Sequence, residues 1–103
     1  MKTGIELITE ERQKQIYKHG FTAEHHALNS EKWYDKDQLV KASIYLLEPE
    51  TSPEDLQNKI PFNWDKDWFI NLNSREFKER LIIAGALIAA ELDRLHFIEE
   101  NNI

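Results

Sequence analysis

The chain has 103 residues, a formal net charge of −6 and no cysteine. That length suits one domain, residues 1–103, with a modest core that oligomerisation would help; the missing thiols exclude disulfides, thiolate metal sites and cysteine nucleophiles. The acidic balance opposes a role in coating nucleic acid, whose phosphates need a basic face, and no apolar run reaches the ~20 residues that span a bilayer. The opening stretch has no signal-peptide pattern, so the expectation is an intracellular soluble protein without nucleic-acid or membrane partners.

Thr3 and Glu6 have capping-box spacing, and Gly20 stands where a left-handed cap would. The first helix is thus predicted over Gly4–His19, with Ile5, Leu7, Ile8 and Ile16 as its apolar positions. On a helical wheel Arg12 falls within about 40° of Ile5, Ile8 and Ile16. Its guanidinium is expected inward or at the core edge, where it needs an acid from another segment or a bound anion. Gln15 and His19 follow along the same side.

Phe21–Tyr34, FTAEHHALNSEKWY, shows no clean period and holds two adjacent histidines. It reads as an ordered loop with one helical turn, tied down by Trp33 and Tyr34; connections of this length are more often functional or disordered than idle. Asp35 with Gln38 is expected to cap a second helix, Lys36–Leu47, whose Leu39, Val40, Ile44, Leu46 and Leu47 make a wide apolar face ended by Pro49. Ser52, Pro53, Glu54 and Asp55 then open a short helix. Lys59–Asn73 is irregular but rich in rings, with Phe62, Trp64, Trp68 and Phe69, and is expected to lie over the last helix.

That last helix is predicted over Ser74–Ile98, capped by Asn73 or Ser74. Between Leu81 and Ala90 it has no polar side chain. Phe77, Leu81, Ala84, Ile88, Leu92 and Leu95 form one stripe, and Ile82, Ile83, Ala86 and Leu87 cover most of the rest. A helix apolar nearly all round belongs at the centre of a core, with Gly85 making room for a neighbour. No stretch alternates with period two. The expected fold is all-α: a small helical bundle of three main helices, a short helix and two ordered aromatic-rich loops.

Glu24, His25 and His26 lack every strong metal-ligand spacing, with no HExxH or zinc-finger pattern. The paired-acid magnesium pattern of all-α nucleotide pyrophosphohydrolases is not met either, since Arg94 stands where an aspartate would be needed. There is no nucleophile elbow and no glycine-rich phosphate loop. Anion recognition would fall to Arg12, Lys78, Arg80 and Arg94, and tryptophans such as Trp64 and Trp68 can stack on a flat ring. Glu76 with Arg80, and Glu91 with Arg94, have the spacing of surface ion pairs.

GIELITEERQKQI followed by GFTAEH, then YDKDQLVKASIYLL, NWDKDWF and KERLIIAGALIAAELDRL, resembles a family of small proteins of tailed phages and prophages, over nearly the whole chain. Glu11, Arg12 and Gln15 match that pattern in the first helix, and Gly20, Phe21, Glu24 and His25 match its next step. Many members carry an aspartate where this chain has His26. The resemblance implies a phage or prophage setting, in which small non-structural proteins act as accessory or counter-defence factors. The resulting expectation is a non-catalytic protein of the bacterial cytoplasm that binds an anionic or nucleotide-like molecule, without cofactor or metal. Arg12, Gln15, Glu24, His25, Trp64, Trp68 and Arg80 would make its pocket, and copies would associate as a homo-oligomer. The alternatives are a module that inhibits a host protein and a metal-dependent nucleotide phosphohydrolase.

Overall fold

Thr3 caps the first helix as its spacing predicts. Its hydroxyl accepts from the Glu6 N–H at 3.2 Å, and the Glu6 carboxylate accepts from the Thr3 N–H at the same distance. The computed structural model describes residues 1–48 and 52–102. Helix α1 runs Gly4–His19 and closes on Gly20, whose φ of 69° lies in the left-handed region that glycine enters without strain. The turn sends the chain back, with the Phe21 N–H bonded to the Gln15 carbonyl at 3.0 Å.

The segment after this turn is more helical than its sequence period suggests. Thr22 caps α2, Ala23–Leu28, by accepting from the His25 N–H, and a π-helical turn spans Ser30–Tyr34. A good cap thus outweighs a weak period, and the loop expected at Phe21–Tyr34 is ordered helix. Helix α3 covers Gln38–Leu47 rather than starting at Lys36. Asp35 does not cap it; Asp37 holds the cap position in a left-handed conformation, and the Gln38 side chain accepts from the Lys36 N–H at 2.6 Å. The stop expected at Pro49 lies outside the described residues.

Ser52 caps α4, Pro53–Gln57, as expected. The second expected loop contains a further helix, α5, Lys66–Asn73, where the Asp65 carboxylate accepts from the Trp68 N–H at 2.7 Å. Asn73 and Ser74 therefore finish α5 instead of capping the last helix, and the Ser74 hydroxyl donates to the Asn71 carbonyl. Helix α6 spans Phe77–Asn101. Among the described residues there is no strand, so the chain is all-α, with six helices and a π turn in place of three main helices, a short helix and two loops.

Helix α6 is central: α1, α2 and α3 all pack on it, and α5 lies against α3. The core joins Leu39, Ala42 and Leu46 of α3, Phe69 and Leu72 of α5, and Ile83, Ala84, Leu87 and Ala90 of α6, with Tyr34 at its edge. Gly85 does make room for a neighbour, although the neighbour is neither backbone nor ring. A Cβ there would stand 2.7 Å from Cδ1 of Ile8 on α1. On the other flank the buried Ser43 hydroxyl donates to the Ala84 carbonyl at 3.1 Å, tying α3 to α6.

The stripe assigned to the core is largely outside it. Ala84 is buried, but Phe77, Leu81, Ile88, Leu92 and Leu95 are between 43% and 65% exposed. Both sides of α6 are apolar, and its neighbours cover only the side bearing Ile83, Leu87 and Ala90. Periodicity registers apolar residues; it does not say which apolar face finds a partner within the chain.

Candidate ligand-binding site

Between α1 and α5 the two helices do not close on each other, and a cleft of about 530 Å³ opens above Leu87 of α6. Its walls come from the segment that the caps Gly20 and Thr22 fold back over the core, and from α5 with its approach. Six rings form a closed circuit around it. Phe21 to His25 is 6.1 Å between centroids, His25 to Trp33 6.2 Å, and Trp33 to Tyr34 6.3 Å. Tyr34 to Trp64 is 6.4 Å, Trp64 to Trp68 5.9 Å, and Trp68 back to Phe21 6.2 Å.

His26 sits within this circuit, 4.5 Å from the Tyr34 ring in an edge contact. It is 1% exposed, and neither ring nitrogen has a hydrogen-bond partner among the described residues. Native structures seldom leave buried polar groups unmet, because the lost hydration is not returned. Burial lowers its pKa from 6.5 to about 3, helped by the positive charges of Arg12 and Arg94. The imidazole is therefore neutral, with one nitrogen to donate and one to accept.

His25 is held differently. The Asn29 amide nitrogen donates to the His25 carbonyl at 2.8 Å, which fixes its orientation, and also lies 3.3 Å from His25 Nδ1. With the amide as donor, Nδ1 accepts, and an Nε2 proton points to the Tyr34 oxygen 3.4 Å away. Burial pushes the Tyr34 phenol up to about 12, so it keeps its own proton to give. Trp64 is anchored by its indole N–H, which donates to the Trp33 carbonyl at 2.9 Å.

A second layer holds the histidines in place. Arg12 donates from Nη1 to the Phe21 carbonyl at 2.7 Å and from Nε to the Asp93 carboxylate at 3.1 Å. Its Nη2 lies 3.0 Å from the same oxygen but off hydrogen-bonding alignment. Arg94 and Glu91 make a buried pair, with Nη2 donating to Oε2 at 3.2 Å, and Arg94 Nη1 donates to the Ser30 hydroxyl at 2.9 Å. Ser30 in turn donates to the Ala27 carbonyl, so this pair clamps α2 to α6. The surface bridge expected for Glu91 and Arg94 is therefore an interior one.

Of the residues singled out in the sequence, the structure brings His25, Trp64 and Trp68 together on the cleft. Arg12 points inward as expected and meets the acid from another segment, not the cleft. Gln15 is buried one step along the groove and borders a smaller cavity. Glu24 is exposed and outside the lining. Arg80 lies far from the site in function: it donates to the carbonyls of Arg75, Leu46 and Glu48, holding the end of α3. It forms no bridge to Glu76.

Sequence reasoning missed His26, Phe21, Trp33, Tyr34 and Asp65 as lining residues. The available signal was their crowding, with four of the five in the single stretch Phe21–Tyr34. Among the described residues no lysine or arginine lines the cleft, and no three histidine, aspartate or glutamate side chains converge as a metal site. No protein-family model, characterised protein or solved structure matches this chain.

Proposed function

We propose that this protein is a non-catalytic binding protein that takes a flat, uncharged heterocycle of nucleobase type into the aromatic cleft. The observation that carries the reading is His26: a fully buried, neutral imidazole with both nitrogens unmet, on the wall of a ring-lined cavity. A base edge supplies the partner that one of these nitrogens lacks, Tyr34 adds a second hydrogen bond, and the indoles supply stacking surface. The resemblance to phage and prophage proteins adds a setting, the cytoplasm of a bacterial host, and an accessory or counter-defence role. Thermal melting with adenosine, guanosine, cytidine and uridine tests the ring reading, since a ligand of the native state raises Tm by mass action. One of them should raise Tm, and Trp68→Ala should weaken its binding by roughly tenfold or more. A cooperative melt that no nucleoside moves defeats the reading.

The open stripe of α6 favours a second, compatible role: association of two copies through this face. On α3, Val40 and Leu47 flank Ser43 by three and four residues; on α6, Leu81 and Ile88 flank Ala84 likewise, so both exposed rows border the Ser43–Ala84 seam. With Ile44 and the rest of the α6 stripe, Phe77, Leu92 and Leu95, they form one continuous exposed apolar face. An antiparallel copy centred on Ile88 sets Leu81 against Leu95 and Lys78 beside Glu99. Light scattering should give a dimer that Leu92→Glu converts to monomer. A wild-type monomer at high concentration that binds a host protein through this face would instead support the inhibitory-module reading.

A further inference from the structure

We infer that the ligand also carries one phosphate-type anionic group, held by Lys14 and Arg75 at the far end of the groove that begins with the aromatic cleft. The inference rests on the ring reading of that cleft. A second cavity of about 160 Å³ adjoins the first and shares His19, Phe21, Trp68 and Leu87 with it. Beside Leu72 and Ile83, its remaining lining changes character: Glu11, Lys14 and Gln15 come from α1, and Asn71 and Arg75 from α5 and its exit. One groove between α1 and α5 thus passes from rings to charged and amide groups.

Two independent observations point to a ligand there. Gln15 is 4% exposed, and its Oε1 has no hydrogen-bond partner among the described residues. An acceptor buried and unmet is as out of place here as His26 is in the cleft, and a ligand hydroxyl or N–H satisfies it. The second observation is the state of the cations. Arg12 and Arg94 are committed to Asp93 and Glu91, whereas Lys14 stands 4.0 Å from Glu11 and Arg75 stands 3.9 Å from Glu79. Arg75 otherwise reaches the Asn71 oxygen at 3.5 Å, the outer limit for a hydrogen bond. Both side chains are partly exposed and can close on an anion without breaking a strong pair.

The charge balance selects the class of ligand. Glu11 lines the same cavity with the two cations and Glu79 stands beside Arg75, so any positive excess is slight, and the space is small. That combination fits one phosphate and opposes a triphosphate, whose added charge would meet Glu11. Gln15 lies on α1 between the ring cleft and Lys14, where a sugar hydroxyl would fall in a nucleoside monophosphate. The anion-binding residues are therefore Lys14 and Arg75, in place of Arg12 and Arg80.

Titration calorimetry of each of the four nucleosides, its 5′-monophosphate and its 5′-triphosphate tests this. The monophosphate of the nucleoside that binds should bind roughly ten- to a hundredfold tighter than the nucleoside. The triphosphate should gain no more. In the Lys14→Gln, Arg75→Gln double variant the gain should vanish, with nucleoside affinity and Tm unchanged, because both side chains lie at the surface. A nucleoside and monophosphate of equal affinity, or a gain that survives in the double variant, overturns the inference and leaves the ring reading standing. If no nucleoside or nucleotide binds, the ring reading fails and this inference fails with it.

Discussion

Lowering the pH from 7 to 5 should remove about 2 kcal/mol of stability through one side chain, His26. The groups around it are Arg12 from α1, His25 from α2, Tyr34 from the π turn and Arg94 from α6. Burial, and then the neighbouring charges of Arg12 and Arg94, bring its pKa from 6.5 to about 3. The unfolded chain therefore takes up a proton below about pH 6.5 that the folded chain refuses until about pH 3. Stability from this group is whole above the unfolded value and drains away as pH falls through that window. At pH 5 the unfolded histidine is almost fully charged and the folded one still neutral, which sets the magnitude. For a domain of this size, 2 kcal/mol corresponds to roughly 8–15 °C in Tm. Urea denaturation at both pH values should be run on the wild type and on His26→Phe, which keeps a ring against Tyr34 and cannot titrate. The variant should lose only the small amount due to carboxylates. Equal losses in the two proteins would refute the assignment of a buried neutral histidine.

Arg80→Met should destabilise the fold by about 2–3 kcal/mol, because three backbone carbonyls lose their donor, while nucleoside affinity stays unchanged; chemical denaturation beside calorimetry separates the two readouts. Arg12→Met should cost about 2–4 kcal/mol, whereas Asp93→Asn should cost about 1 kcal/mol or less, since Asp93 is half-exposed and Arg12 keeps the Phe21 carbonyl. Equal costs would mean that the pair, rather than the carbonyl contact, carries the energy. Gly85→Ala should gain little alone, its helix propensity of about 1 kcal/mol being offset by the clash with Ile8 Cδ1. Combined with Ile8→Val, which deletes that atom, the gain should appear as a favourable coupling of about 1 kcal/mol in a double-mutant cycle; zero coupling would place Ile8 elsewhere.

Local capping signals are legible in part: Asp35, Asn73 and Ser74 do not cap the helices assigned to them, while others cap theirs. The Thr3–Glu6 box and Gly20 mark α1 to its last residue, and Ser52 marks α4. The same kind of signal was present at Thr22 and Asp65, but aromatic crowding concealed it, and two helices read as loops. The inward turn of Arg12 was legible from its place among Ile5, Ile8 and Ile16. Its partner was not, because Asp93 lies 81 residues away and looks like any surface acid on α6. The two faces of α6 could not be ranked from sequence either. Which face is covered depends on where α1 and α3 cross it, and a small residue such as Gly85 or Ala84 permits a crossing without announcing it. For the site, residue types were readable and residue roles were not: arginines suggested anion contacts, yet two of them, Arg12 and Arg94, serve the histidines from behind.

That indirect service changes what the arginines do for binding. Arg12 and Arg94 are each matched to an acid, yet their nearness still weighs against a third positive charge at His26. Burial keeps the imidazole neutral, and the two arginines add to that without reaching into the cleft. A charged His26 would offer two donors and repel a base edge that presents its own N–H; a neutral one offers a donor and an acceptor, and a shift of tautomer exchanges them. Its two nitrogens point in diverging directions, so a base edge meets one of them, as donor or as acceptor according to the tautomer, and His26 alone cannot choose between bases. The choice falls to Tyr34, which gives its proton in one direction because its oxygen already faces the Nε2–H of His25. Replacing Tyr34 by Phe removes the hydrogen bond and keeps the ring. Where His26→Phe should weaken every nucleoside, Tyr34→Phe should narrow the gap between the best and the next best. A Tyr34→Phe protein with its preference intact would transfer the choice to His26 and require a fixed tautomer there.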